Sequence, residues 1–227
     1  IRDQQKATPV QASPALKKSS TNTKKPTLQQ LLQSQTKEQL VELIIKVGKN
    51  HPAFIKELKM LLTKPDDSLK AAEEIILHHI NEAKDRRSGY ITWNQTSKAL
   101  KGIETIHDLI EEHIENGEYF TGIQLSLLCF HYAFEAMQYS DDSSGDFGNS
   151  LDESLAFIEQ AILEGADVWN KKQYETVYEL VMQKALHRKL DDWSDWRIYL
   201  IGSCIPLCHD ESIEEKYVDL LHSLVEK

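Results

Sequence analysis

Three features of this 227-residue sequence point to an all-α fold. Apolar residues recur at i, i+3, i+4 and i+7 through most of residues 27–227, the spacing of one face of a helix. Helix-start phrases precede several of these runs, with a hydroxyl residue followed three positions later by Gln or Glu. No segment alternates apolar and polar residues over the length of a strand; Gly89-Tyr-Ile-Thr92 is too short and stands alone. The joints between runs are short, which predicts antiparallel helical hairpins stacked as a bundle or as an irregular α-solenoid.

Taken in order, residues 1–26 hold Pro9, Pro14 and Pro26 among polar residues with no apolar period, and read as a flexible basic linker. Thr27 opens a short helix carrying Leu28, Leu31 and Leu32. Thr36-Lys-Glu-Gln39 has the form of a capping box, and Leu40, Leu43, Ile44 and Val47 follow at helical spacing up to Gly48. A further helix from Asn50 tolerates Pro52 in its first turn and carries Phe54, Ile55, Leu58 and Leu62, making a hairpin with its predecessor. Asp66-Asp67-Ser68 caps a longer helix with Leu69, Ala72, Ile75, Ile76 and Ile80, which ends in Lys84-Asp-Arg-Arg87 as the helix dipole favours.

Thr92-Trp-Asn-Gln95 reads as a second capping box, before a face of Leu100, Ile103, Ile106, His107, Ile110 and Ile114. The segment from Glu118 to Met137 is the most apolar and is apolar more than halfway round, which places it at the centre. Ser150-Leu-Asp-Glu153 reads as the cap of a helix with Leu155, Ile158, Ala161 and Ile162. Tyr174, Val177, Leu180, Val181 and Leu186 line the next one. Asp191-Asp192 leads into a helix with Trp193, Trp196, Ile198, Leu200 and Ile201 that Pro206 ends, and a last amphipathic helix runs from Asp210. Trp93, Trp169, Trp193 and Trp196 stand next to helix starts, where an indole ring can cover a joint.

Charge is unevenly placed. Six cations (Arg2, Lys6, Lys17, Lys18, Lys24, Lys25) face one anion (Asp3) in residues 1–26, a net +5, so a chain whose total is −10 carries −15 over residues 27–227. An acidic body repels a polyphosphate backbone and is a poor candidate for nucleic-acid binding through its own surface; the basic tail is the part that could touch nucleic acid. No apolar run is long enough to span a bilayer, and no signal segment opens the chain, so a cytoplasmic protein without membrane contact is expected. Cys129, Cys204 and Cys208 lie in apolar helical surroundings without a disulfide framework, which fits a reducing compartment. The chain opens on Ile1 rather than Met and reads as a piece of a longer protein.

The one long, acidic, glycine-marked break is 139–149, where Asp141, Asp142 and Asp146 stand beside Gly145 and Gly148; a subdivision of the helical domain 27–227 would fall here. Closely spaced carboxylates with a glycine turn are what a hard cation needs, and these three aspartates are the candidate metal ligands. The register of a calcium loop fails, however. Gly145 in the sixth position puts Ser140 first and Leu151 where the bidentate Glu belongs, so capping and turn bracing are the expected roles. Cys204, Cys208 and His209 resemble half a zinc site without a second ligand pair. His107 would need a carboxylate partner and a pocket to act as an acid or base; His113 beside Glu112, His78-His79, and Cys129 with His131 are weaker still. No catalytic residue and no cofactor is expected.

Several phrases carry a family resemblance: Leu31-Leu32 leading to Ser34-Gln-Thr-Lys-Glu-Gln-Leu-Val-Glu-Leu43, His51-Pro52, Arg86-Arg-Ser-Gly-Tyr-Ile91, and Asp141-Asp-Ser-Ser-Gly-Asp-Phe-Gly148. In pieces across residues 27–165 the chain resembles the helical region that follows the zinc finger of bacterial SWIM-type zinc-finger proteins. The acidic loop is the distinctive part. The resemblance implies a helical module attached to a finger that binds zinc and engages DNA or protein. The finger's Cys-x-Cys and Cys-x-His pattern occurs nowhere in this chain, so zinc is implied only for a missing upstream segment. Together these readings predict a non-enzymatic protein-interaction module. The alternative is a metal-dependent hydrolase or Ca²⁺-responsive switch built on Asp141, Asp142 and Asp146.

Overall fold

The computed structural model describes residues 27–51, 54–55, 58 and 65–225, the side chains of 65–68 and 225 excepted. The linker 1–26, and most of the helix expected from Asn50, including Pro52 and Leu62, lie outside the described residues. The fold is all-α. Two compact units divide between Asn50 and His51, and the loop 139–149 lies inside the second.

In the first unit, α1 (Leu28–Gln33) and α2 (Lys37–Gly48) each begin in a complete capping box. Thr36 accepts from the Gln39 N–H, while the Gln39 amide oxygen accepts from the Thr36 N–H at 2.9 Å, satisfying two orphan donors reciprocally. The expected apolar faces are not covered. Leu28, Leu31, Val41, Leu43, Ile45 and Val47 are all exposed, and in α2 only Gly48 is buried.

The second unit holds α3 (Pro65–Ala83), α4 (Thr96–Glu115), α5 (Tyr119–Met137), α6 (Asp146–Ala166), α7 (Lys171–Ala185), α8 (Ser194–Ser203) and α9 (Glu211–Val225), with single turns of 3₁₀ helix at Trp93–Gln95 and Arg188–Leu190 and a longer one at Ile205–His209. α3 begins at Pro65, so the Asp66-Asp67-Ser68 cluster lies in its first turn rather than ahead of it; the cap expected of those side chains falls outside the description. α5 is central, packing against α3, α4, α6 and α7. Its Ile123, Leu125, Phe130, Ala133 and Phe134 are buried, as expected of the most apolar segment. Phe120, at its first turn, is exposed.

An aromatic cluster joins α5 to α8. Trp193 stacks on Trp196 with centroids 4.9 Å apart, and Phe134 meets both rings edge-on. The Trp196 Nε1–H donates to Asp152 at 3.0 Å, tying the same corner to α6. Trp93, by contrast, is largely exposed and covers no joint. Ile198, expected on the inner face of α8, is exposed, while Leu200 and Ile201 of the same helix are buried. A capping box at Asn170 and Gln173, unread in the sequence, starts α7. Among the described residues no helix is long and apolar enough to cross a membrane.

Candidate functional site

The acidic loop is a braced corner. Ile91, completely buried, donates its N–H to the Tyr139 carbonyl at 3.0 Å and accepts from the Asp141 N–H at 2.8 Å, so the loop after α3 and the loop after α5 share one β-bridge. Gly145 then takes φ +75°, a left-handed conformation that glycine adopts without steric cost, and α6 starts at the next residue. The cap predicted at Ser150 is therefore overturned: Ser150 lies inside α6, a full turn beyond its start. The cap predicted at Thr92 fails too. Its hydroxyl donates to the Asn94 side chain at 2.6 Å and no side-chain cap forms.

Each aspartate has its own task. Asp142 accepts from the Phe147 N–H at 2.9 Å and the Gly148 N–H at 3.1 Å, satisfying two of the donors orphaned at the start of α6. Asp146 accepts from the Ser144 hydroxyl at 2.7 Å and the buried Thr96 hydroxyl at 2.8 Å; these bonds, Ser144 first, hold its carboxyl below the ordinary value and join α6 to the start of α4. Asp141 accepts from the Ser143 N–H at 3.2 Å in a local turn. The carboxylates are directed to hydrogen-bond donors of the corner rather than to a common centre. Among the described residues no three His, Cys, Asp or Glu side chains are placed to hold one metal ion.

Cys204 caps the last 3₁₀ segment and Cys208 lies within it, where the Cys208 thiol donates to the Cys204 carbonyl. Burial pushes the Cys204 thiol up to about 12 and raises that of Cys208, which disfavours the thiolate a metal requires. Cys129 is fully buried and its thiol is raised for the same reason. His113 pairs with Glu118, and His78 lies 3.7 Å from Glu82.

His107 has the partners that the sequence alone could not show. It is buried on α4, with Nδ1 2.9 Å from Glu153 and Nε2 2.8 Å from the Ser154 hydroxyl, both on α6. The Ser154 oxygen also lies 2.9 Å from the Ser150 carbonyl, and its single proton goes either to that carbonyl or to Nε2. Burial lowers the imidazole pKa, with Glu153 and Asp108 pulling against it, so the neutral ring carries its proton on Nδ1 toward Glu153 and accepts at Nε2. Serine, imidazole and carboxylate stand in the order of a nucleophilic triad, but Ser154 has 0% exposure. A nucleophile closed off from substrate cannot attack one; what the trio does is bond α4 to α6 through polar groups that are mutually satisfied.

Between the lowered folded value and the unfolded value near 6.5, the unfolded chain binds a proton at His107 that the native chain does not. This contribution to stability is complete above the unfolded value and is lost as pH falls through the window. Urea midpoints at about pH 7.5 and about pH 5.5 should therefore differ less in His107→Gln than in the parent chain. An unchanged difference would assign the pH dependence elsewhere.

Apart from this polar interior, the second unit carries a groove between α3, α5 and α7 floored by leucines, with Lys184, His131 and His187 beside it. Leu180 reads as a core residue from its helical spacing, whereas Lys184, one lysine on an amphipathic helix, carries no local signal of its burial. No protein-family model, curated protein or solved structure matches the chain.

Proposed function

We propose that the chain is a non-enzymatic helical module that binds another protein in the cytoplasm, as the helical part of a SWIM-type zinc-finger protein. One observation carries the interaction reading. α2 has apolar residues over more than half of its circumference, at 40, 41, 43, 44, 45 and 47, and buries only Gly48. An apolar face that wide belongs against another surface, since about 25 cal/mol is forfeited for each Å² of apolar surface left in water. Val41 and Ile45 lie one turn apart beside Lys37, Glu38 and Glu42, giving an apolar strip with a charged border. The family reading rests on the phrases from Leu31 to Gly148 and most of all on the acidic loop. The metal-dependent alternative draws on Asp141, Asp142 and Asp146, whose oxygens are engaged by the donors of the corner.

The chain, immobilised and exposed to extract of its source cells, should retain a partner that a Val41→Asp, Ile45→Asp double variant does not. Both positions are exposed, so circular dichroism should show the same fold in the two baits. Identical retention by both would end the assignment of α2 as the docking strip.

A further inference from the structure

The groove between α3, α5 and α7 has a volume of about 650 Å³, within the range of sites that hold small organic molecules. Its apolar surface comes from Leu69, Leu127, Leu128 and Leu180. A smaller recess of about 50 Å³ shares His131, Lys184 and His187 with it and ends on Phe130, Phe134 and Leu190. The groove would admit only about one to one and a half turns of a helix 10–12 Å across, so a flexible chain fills it better than a docked peptide helix.

Where groove and recess meet stands Lys184, half-buried and, among the described residues, without a hydrogen bond or ion pair. The nearby carboxylates are engaged elsewhere: Glu135 pairs with Lys189 at 2.5 Å, and Glu73 accepts from the Tyr132 hydroxyl. His187 accepts at Nδ1 from the Lys189 N–H at 3.3 Å, which leaves Nε2 as the donor of the ring. Burial holds the Lys184 ammonium below its ordinary pKa, against the pull of Glu135, and lowers His131 as well. A cation drawn partly out of water beside a leucine surface, in a chain of net charge −10, is the reverse of what that surface otherwise presents.

We propose that this groove binds a free aliphatic carboxylate of medium to long chain, with its hydrocarbon on Leu69, Leu127, Leu128 and Leu180 and its carboxylate on the Lys184 ammonium. The two halves of such a ligand match the two halves of the site. The apolar tail removes leucine surface from water, and the carboxylate supplies the charge-assisted hydrogen bond that Lys184 lacks. This proposal is independent of the α2 strip.

Titration calorimetry of the full chain with decanoate and with decylamine, which share a tail and differ in the sign of the head, tests it. Decanoate should bind at least about tenfold more tightly than decylamine, the scale of one charge-assisted hydrogen bond. Lys184→Met should erase that preference while retaining tail binding, and Leu128→Asp should abolish both. Lys184→Met keeps the aliphatic stem at a half-buried position and is expected to fold; thermal melts of both variants check this. Equal affinity for the two heads, no binding of decanoate at millimolar concentration, or decanoate binding indifferent to both substitutions would each overturn the proposal.

Discussion

Phe147→Ala is expected to destabilise the second unit by about 3–5 kcal/mol, the cost of deleting a fully enclosed aromatic ring and leaving a cavity that its neighbours only partly fill. Phe147 is the second residue of α6, and its own N–H is one of the two that Asp142 accepts. The ring therefore holds the start of the helix in the core while the Asp142 carboxylate, three residues before the left-handed Gly145, holds its backbone. For a unit of this size the loss corresponds to a fall in melting temperature of roughly 6–20 °C. Asp142→Ala, which removes only the cap, should cost about 0.5–2 kcal/mol. Calorimetric melts of the two variants decide between a corner held chiefly by packing and one held by its carboxylates. An Asp142→Ala loss exceeding that of Phe147→Ala would reverse the assignment.

Gly102→Val should cost about 3 kcal/mol, although valine is the better helix former by a few tenths of a kcal/mol. A Cβ at position 102 of α4 would stand 2.9 Å from the Ile75 carbonyl oxygen and 2.9 Å from the Ile76 Cα, both backbone atoms of α3, and 3.1 Å from the His79 ring. Backbone cannot rotate aside as a side chain can, so α3 and α4 would have to separate, loosening the buried Ile75, Ile76 and Ile103. Gly202, in α8, supplies the control because a Cβ there meets nothing within 4 Å. Gly202→Ala should stabilise by up to about 1 kcal/mol through helix propensity alone. Urea denaturation of the pair should give shifts of opposite sign. Equal shifts would mean that α3 and α4 are not in backbone contact at Gly102.

The capping box of α2 was legible because both partners lie within four residues of each other, whereas the boxes of α1 and α7, equally local, were not singled out. The same phrase misled at Thr92 and Ser150. Ser150 is preceded by a cap that reaches across a left-handed glycine, Asp142 to Phe147 and Gly148, a span the four-residue pattern does not register. The core was legible wherever apolar residues kept helical period, as along α4 and α5. Ile198 and the apolar residues of α2 kept that period as well and are nevertheless exposed, since periodicity shows that a face is apolar but not that anything covers it. His107 was legible as a residue on an apolar face. Its partners Glu153 and Ser154 lie 46 and 47 positions away, and no local pattern joins such distances.

By itself the sequence determined what is local. It set the all-α class, the helix runs, the glycine at the corner and the separation of a basic tail from an acidic body, because helix periodicity, turn conformation and charge are properties of neighbouring residues. Tertiary structure alone decided which faces meet. It closed Ser154 behind His107, tied Asp146 to Thr96, pressed α3 against Gly102, and left Lys184 half out of water beside four leucines. Desolvation and close approach depend on segments distant in the chain arriving at one place, and only the folded packing specifies that arrival.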